Sequence, residues 1–220
     1  MYIIIVGAGA IGTNLIEIAT RDRHNVAVIE RDPRRAEEIS RAYDVRVVQA
    51  DAASAEALKE ALAERADALI ATTRDDATNL MAIFLGKEQG IPRLVSVVNN
   101  KDHTVLFERL GAHVMKNPEE LVAQHLYNAV RRPHLQDLIT LSSGAQVFKV
   151  TVSERSSLVG RPLRECGQRG LIPKATLIIS VERDDQLIIP SGNTVLQVGD
   201  VITVFSRDRA TDELIRRFTG

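Results

Sequence analysis

The stretch Ile3-Ile4-Ile5-Val6-Gly7-Ala8-Gly9-Ala10-Ile11-Gly12 runs from an apolar strand through three spaced glycines into a helical pattern. That helix carries Ile11, Leu15, Ile18 and Ala19 as its apolar positions. A glycine triplet between a buried strand and an amphipathic helix is the context that a phosphate-cradling turn needs. Gly7 permits the tight turn, Gly9 lets the backbone approach a pyrophosphate, and Gly12 lets the helix pack on the strand. The helix start then offers unpaired N–H groups and a positive dipole to the phosphates.

Glu30 closes the next apolar run, at the roughly 20-residue spacing expected of a ribose-binding carboxylate, and Arg31 follows it. A carboxylate there accepts both ribose hydroxyls and repels a 2′-phosphate. The sequence therefore favours NAD or another adenine nucleotide over NADP.

Outward from this turn, short apolar runs alternate with helical patterns through residue 115. The runs are Tyr2–Val6, Val26–Ile29, Val45–Val48, Ala68–Ala71, Leu94–Val98 and Ala112–Met115. Nearly unbroken β-rich runs separated by helices indicate a doubly wound parallel sheet, α/β and Rossmann-like. Asp32-Pro33 reads as an N-cap and N1 proline, and Ser54 and Thr73 as the next two caps. The helix after Thr73 gathers Ala77, Leu80, Met81, Phe84 and Leu85 on one face. Asn117-Pro118-Glu119-Glu120 supplies a cap and a capping-box glutamate for a helix over about 118–131. That helix has a stripe of Leu121, Val122, His125, Leu126 and Ala129, and stops before Arg131-Arg132-Pro133-His134. A sheet already covered on both faces leaves it free to cross to a second subunit, with His125 as a packing residue.

Beyond about residue 137 the period changes to that of antiparallel strands. Gln146–Ser153 alternates, Leu177–Glu182 and Leu187–Ile189 flank a tight turn at Arg183-Asp184-Asp185, and Val201–Phe205 follows Gly199-Asp200. A last helix from near Asp208 turns Ala210, Leu214, Ile215 and Phe218 inward. The expected organisation is a nucleotide-binding domain over 1–117, a crossover helix and linker over 118–136, and a small α+β domain over 137–220.

The chain of 220 residues carries a net charge of −1, so no basic excess points to nucleic acid. One cysteine, Cys166, excludes an internal disulfide and fits a reducing compartment. No apolar run approaches the roughly 20 residues of a membrane span, and no leader precedes the first strand. A cytoplasmic protein is expected, peripheral to the membrane through a partner.

Ligands in open α/β sheets bind beyond the carboxyl ends of the strands. Asp51, with Ala52, follows the third strand, where its carboxylate can accept an adenine amino group. Thr72 and Thr73 follow the fourth, and Val98-Asn99 ends the fifth. Asp75 and Asp76 read as acids favouring a helix dipole. The site expected from these positions is Gly7, Ala8, Gly9, Ala10, Ile11, Gly12, Glu30, Arg31, Asp51, Ala52, Thr72, Thr73, Val98 and Asn99, with neither catalytic residues nor a metal.

Together these residues resemble a regulator-of-K⁺-conductance (RCK) domain of the TrkA type. The resemblance rests on the glycine turn, Glu30-Arg31-Asp32, Val47–Ala52, Ala71-Thr72-Thr73 and Asp75–Leu80. In the second part it rests on Ser156–Leu163, Ile189–Thr194 and Val198–Val204. It implies a cytosolic nucleotide-binding subunit that dimerises, assembles into a ring and gates a separate membrane potassium channel or transporter. Nucleotides of the family are NAD⁺/NADH, ATP and ADP. Two departures bear on the choice. Ala10 stands where ATP-tuned members often have Arg, and Ala50-Asp51-Ala52-Ala53 replaces the usual Gly-Asp-Ala-Thr. NAD(H) is thus expected first, with ADP or ATP as further ligands.

The rival reading is a small NAD-dependent oxidoreductase. Against it, His113, His125 and His134 lack a Ser, Lys or Asp partner at recognisable spacing, and no Tyr-x-x-x-Lys pair is present.

Overall fold

A computed structural model describes residues 1–131, 134–141 and 143–220. The chain divides into two compact units, Met1–Leu121 and Val122–Gly220. In the first, strands β1 (Tyr2–Val6), β2 (Asn25–Glu30), β3 (Arg46–Gln49), β4 (Ala68–Ala71), β5 (Leu94–Val98) and β6 (His113–Lys116) form one sheet. Their order is β3-β2-β1-β4-β5-β6, all parallel. The chain winds outward from β1 to β3, then returns to place β4 against the other side of β1. Ile3–Val6 is in register with Val26–Ile29 on one side and with Ala68–Ala71 on the other.

The unbroken apolar runs follow from cover on both faces. Helices α1 (Ala10–Arg21) and α2 (Pro33–Ala42) pack Ile16, Ala19 and Ile39 with Ile3, Ile5, Val26 and Val28. Helices α3 (Ala55–Glu60), α4 (Asp76–Glu88) and α5 (Thr104–Arg109) pack Ala57, Leu58, Ala82, Ile83 and Phe107 with Ile4, Val6, Ala27 and Ile29.

Two stripes read from periodicity differ from the buried faces. On α1 the buried positions are Gly12, Ile16 and Ala19, while Ile11 and Ile18 face solvent. On α4 they are Asp76, Asn79, Ala82, Ile83 and Gly86, and Met81 and Phe84 are exposed. Small residues decide the matter. A Cβ at Gly86 would stand 3.1 Å from both Leu69 Cδ1 and Leu94 Cδ2, so this face alone lets α4 approach the sheet. The cap of α4 is Asp75, not Thr73, accepting from the N–H groups of Ala77 and Thr78.

Helix α6 (Pro118–Arg131) buries none of its residues, and Leu121, Val122, Leu126, Tyr127 and Val130 are all exposed. Asn117 precedes it with φ +43, and its side-chain amide donates to Glu120 instead of accepting as an N-cap. The helix runs through Arg131, the first residue of the expected stop Arg131-Arg132-Pro133-His134, of which Arg132 and Pro133 lie outside the described residues.

In the second unit, β7 (Leu135–Thr140), β8 (Gln146–Thr151), β9 (Thr176–Arg183), β10 (Gln186–Ile188) and β11 (Val201–Ser206) form an antiparallel sheet ordered β10-β9-β11-β8-β7. Asp184 and Asp185, both at positive φ, make the two-residue turn between β9 and β10. Helix α7 (Leu163–Gln168) buries Cys166, and burial pushes the pKa of its thiol upward. Helix α8 (Asp212–Thr219), capped by Thr211, starts four residues beyond the expected Asp208 and buries Leu214, Ile215 and Phe218. Arg183 donates from Nε and Nη2 to the buried Asp200 at 2.7 and 2.8 Å, tying β9 to the start of β11.

Among the glycines of the first unit the tightest approach is at Gly12, where a Cβ would stand 1.9 Å from the Gly7 carbonyl oxygen. Gly12→Ala is expected to destabilise this unit by about 1–3 kcal/mol, because main chain must move. Gly9→Ala, whose Cβ meets nothing within 4 Å, should leave the thermal midpoint nearly unchanged. Thermal melts of both variants check the contrast.

Candidate nucleotide site

The glycine turn sits where the winding direction of the sheet reverses, between β1 and β4. Gly7 has φ +89, and its N–H donates to Ile29 O at 2.9 Å, extending the β1–β2 ladder by one residue. Gly9 is the N-cap of α1 and has no side chain to satisfy the first-turn N–H groups. The space before it is open, since a Cβ there would touch nothing. An open cradle in front of unsatisfied N–H groups fits a phosphate.

Glu30 is buried, 7% exposed. Its Oε2 accepts the Ala8 N–H at 2.7 Å and its Oε1 accepts the Asp32 N–H at 2.8 Å. Asp32 in turn caps α2 by accepting from Arg34 and Arg35 N–H at 2.9 and 3.1 Å. A carboxylate offers about four lone-pair positions, so each oxygen retains one for a ribose hydroxyl. Arg31 beside it is exposed. Asp51 is also exposed, with Oδ1 accepting the Ala53 N–H at 2.9 Å, whereas Ala52 is buried in the core.

On the β4 side, Thr72 donates its N–H to Val6 O at 2.9 Å and its hydroxyl lies 2.9 and 3.0 Å from Val6 O and Gly7 O. Thr73 is held by the fully buried Asn79. Asn79 Oδ1 accepts the Thr73 N–H and hydroxyl at 3.0 and 2.7 Å, and its amide donates to Thr73 O and Val97 O at 2.9 and 3.2 Å. Asp76 braces β5. It accepts from Asn99 N and Nδ2, both at 2.8 Å, from Asn100 N at 2.9 Å and from His103 Nδ1 at 2.8 Å. Burial pushes the Asp76 carboxyl upward, but these donors outweigh it and hold the group below its ordinary value. Val98 is wholly buried and its carbonyl accepts from Asn117 N–H, so Asn99 is the residue β5 presents at the sheet edge.

Comparison with known proteins matches residues 3–118 to the TrkA-N domain and residues 147–219 to the TrkA-C domain. The chain is 29% identical to the Trk system potassium uptake protein TrkA homolog of Methanothermobacter thermautotrophicus, over 100% of both chains. It is 30% identical to the homolog of the same description from Pyrococcus abyssi, over 97% of this chain and 96% of that one. The chain belongs to the TrkA family.

Among solved structures, the GsuK channel superposes with a TM-score of 0.66 at 19% identity, covering 100% of this chain and 39% of that one. The GsuK RCK domain superposes at 0.64 and 20% identity, covering 98% and 46%. The TrkA-N and TrkA-C regions thus carry the RCK fold, and this TrkA chain spans less than half of either solved chain.

In this TrkA-N domain the structure brings Gly7–Gly12, Glu30, Thr72, Thr73 and Asn99 to one edge of the sheet. The sequence reading missed Asp76, Asn79 and His103, treating Asp76 only as a dipole partner. A signal was present: Asp76 and Asn79 share the face of Ala82, Ile83 and Gly86, and polar groups on a buried face require partners.

Asp76→Asn removes a buried charge from four donors and should cost roughly 2 kcal/mol. The sign of the pH effect follows from the lowered pKa. The stabilisation is complete above the ordinary carboxylate value of 3.8 and is lost as pH falls through the lower folded value. Acid unfolding of the variant should therefore lack this increment of pH dependence.

Proposed function

We propose that the chain is the nucleotide-binding regulatory subunit of a Trk-type potassium uptake system. In this reading Gly7, Ala8, Gly9, Ala10, Ile11 and Gly12 seat the phosphates, and Glu30 and Arg31 the adenosine ribose. Asp51 lines the adenine side, with Ala52 packed behind it in the core, and Thr72, Thr73 and the Val98-Asn99 strand end line the far side. The ligand is NAD(H), ADP or ATP. The observation that carries this is Glu30: a buried carboxylate at the second strand end, with lone pairs left over, beside an uncapped helix start. The names of the full-length relatives support the potassium role, and one structure of the same fold is described as the GsuK channel bound to NAD, with a TM-score of 0.65.

Regulation without turnover fits the polar groups around the site. Its one His–carboxylate pair among the described residues, His103–Asp76, is engaged with two backbone N–H groups and a side-chain amide, the donor set of a brace. The uncovered stripe on α6 supports a homodimer, with dimers assembling into a ring beneath a membrane channel or transporter. No helix among the described residues is long and apolar enough to cross a membrane. A nucleotide moves such an assembly only by binding its two states differently, and a switch from mostly closed to mostly open takes about 5 kcal/mol, shared among identical sites.

Calorimetry with NAD⁺, NADH, ADP and ATP tests the reading. Wild type should bind at least one of them, and Glu30→Ala should lower that affinity by about tenfold or more. Absence of all binding contradicts the site, and hydride transfer at an ordinary enzymatic rate contradicts regulation. Sedimentation of Leu126→Asp should show loss of the dimer, while an unchanged mass would exclude α6 from the contact.

A further inference from the structure

We infer that Arg74 is the cation that reads the phosphates beyond the first, giving ADP and ATP an advantage over AMP that the glycine turn and Glu30 alone do not supply. The inference rests on the nucleotide reading above and concerns the end of the ligand that Glu30 does not touch.

Strand order sets the ligand's direction. Glu30 flanks the glycine turn from β2, and Thr72-Thr73-Arg74 flanks it from β4. A ribose held by Glu30 places the adenosine on the β2 side and the first phosphate at the start of α1. Whatever follows that phosphate runs toward β4. There the two loops touch: a Cβ on Gly7 would meet Thr73 Cγ2 at 2.9 Å.

Arg74 is the next residue, and the chain is fixed on either side of it. Thr73 is bound through its N–H, hydroxyl and carbonyl by Asn79, and the Asp75 N–H donates back to Thr73 Oγ1 at 3.2 Å. The root of the Arg74 side chain is therefore held before any ligand arrives, which reduces the ordering cost of binding.

The surrounding charges leave this cation available. The Arg74 side chain is exposed and, among the described residues, its guanidinium has no hydrogen-bond or ion-pair partner. Asp75 is turned to its own helix, accepting from the N–H groups of Ala77 and Thr78 and the Thr78 hydroxyl. Asp76 is buried among its four donors. The first turn of α1, from Ala10 to Thr13, has no charged side chain, and Lys101 beyond β5 is paired with Glu120 at 2.6 Å. A guanidinium grips phosphate oxygens through two parallel N–H bonds. AMP has no second phosphate to offer it, and the second phosphate of NAD⁺ and NADH is a singly charged diester, unlike the free terminal phosphate of ADP or ATP.

Calorimetry on the full chain and on Arg74→Ala and Arg74→Lys, with AMP, ADP, ATP, NAD⁺ and NADH, tests this. Arg74→Ala should weaken ADP and ATP about tenfold and leave AMP within about twofold, with NAD⁺ and NADH, whose second phosphate is a diester, weakened less than ADP. Arg74→Lys, keeping the charge without the fork, should recover part of the loss. Unchanged ADP and ATP affinities in Arg74→Ala, or equal weakening of all five ligands, overturn the role of Arg74 while leaving the nucleotide site standing. Wild type that binds none of the five overturns both.

Discussion

Two backbone N–H groups, of Ala8 in the glycine turn and of Asp32 at the start of α2, end on the one buried carboxylate of Glu30. Leaving either donor unpaired at this depth would cost about 1–3 kcal/mol, and leaving the carboxylate without donors would cost more. The contact therefore settles two loops at once: it sets the course of the chain into α1 and into α2, where Asp32 caps the helix. Because each oxygen keeps a lone pair, the same group that stabilises the fold remains able to bind a ligand. In the proposed function, structure and recognition share one side chain.

The opposite lip of the site is built on a separate brace. Asn79 holds Thr73, and Asp76 holds Asn99 and Asn100, so the ends of β4 and β5 are joined through the buried face of α4. The turn beyond Asn100 carries Lys101, whose ammonium meets Glu120 at the start of α6. A route of packed and hydrogen-bonded groups thus leads from the sheet edge to the helix with the uncovered apolar stripe. In the proposed function, a ligand bridging the Glu30 side and the Thr73 side bears on both braces, and its occupancy biases an assembly without chemistry.

Legibility in the sequence followed the range of the interactions. The glycine turn, Glu30 and the Asp32-Pro33 start were readable because their physics is local: a positive φ at Gly7, a missing Cβ at Gly12, a cap two residues from its donor. The Asp76–Asn99 bond joins the start of α4 to the end of β5, residues 23 apart, and nothing in spacing announces it. On α4 the period was readable but the inward side was not. The larger residues Met81 and Phe84 marked one face, whereas the sheet admits the helix only where Gly86 removes a side chain. Strand β7 escaped because Gln136 and Asp137 break its apolar pattern, and its pairing with β8 supplies what the pattern lacks.

The central claim is that a nucleotide lies across the glycine turn with its ribose on Glu30 and its far end against the β4 loop. Amide hydrogen exchange of the full chain with and without a saturating adenine nucleotide measures this most directly. The account predicts added protection at Gly9 to Thr13, at Arg31 and Asp32, and at Thr73 to Asp76. Binding that leaves these amides unprotected while slowing exchange elsewhere would contradict it.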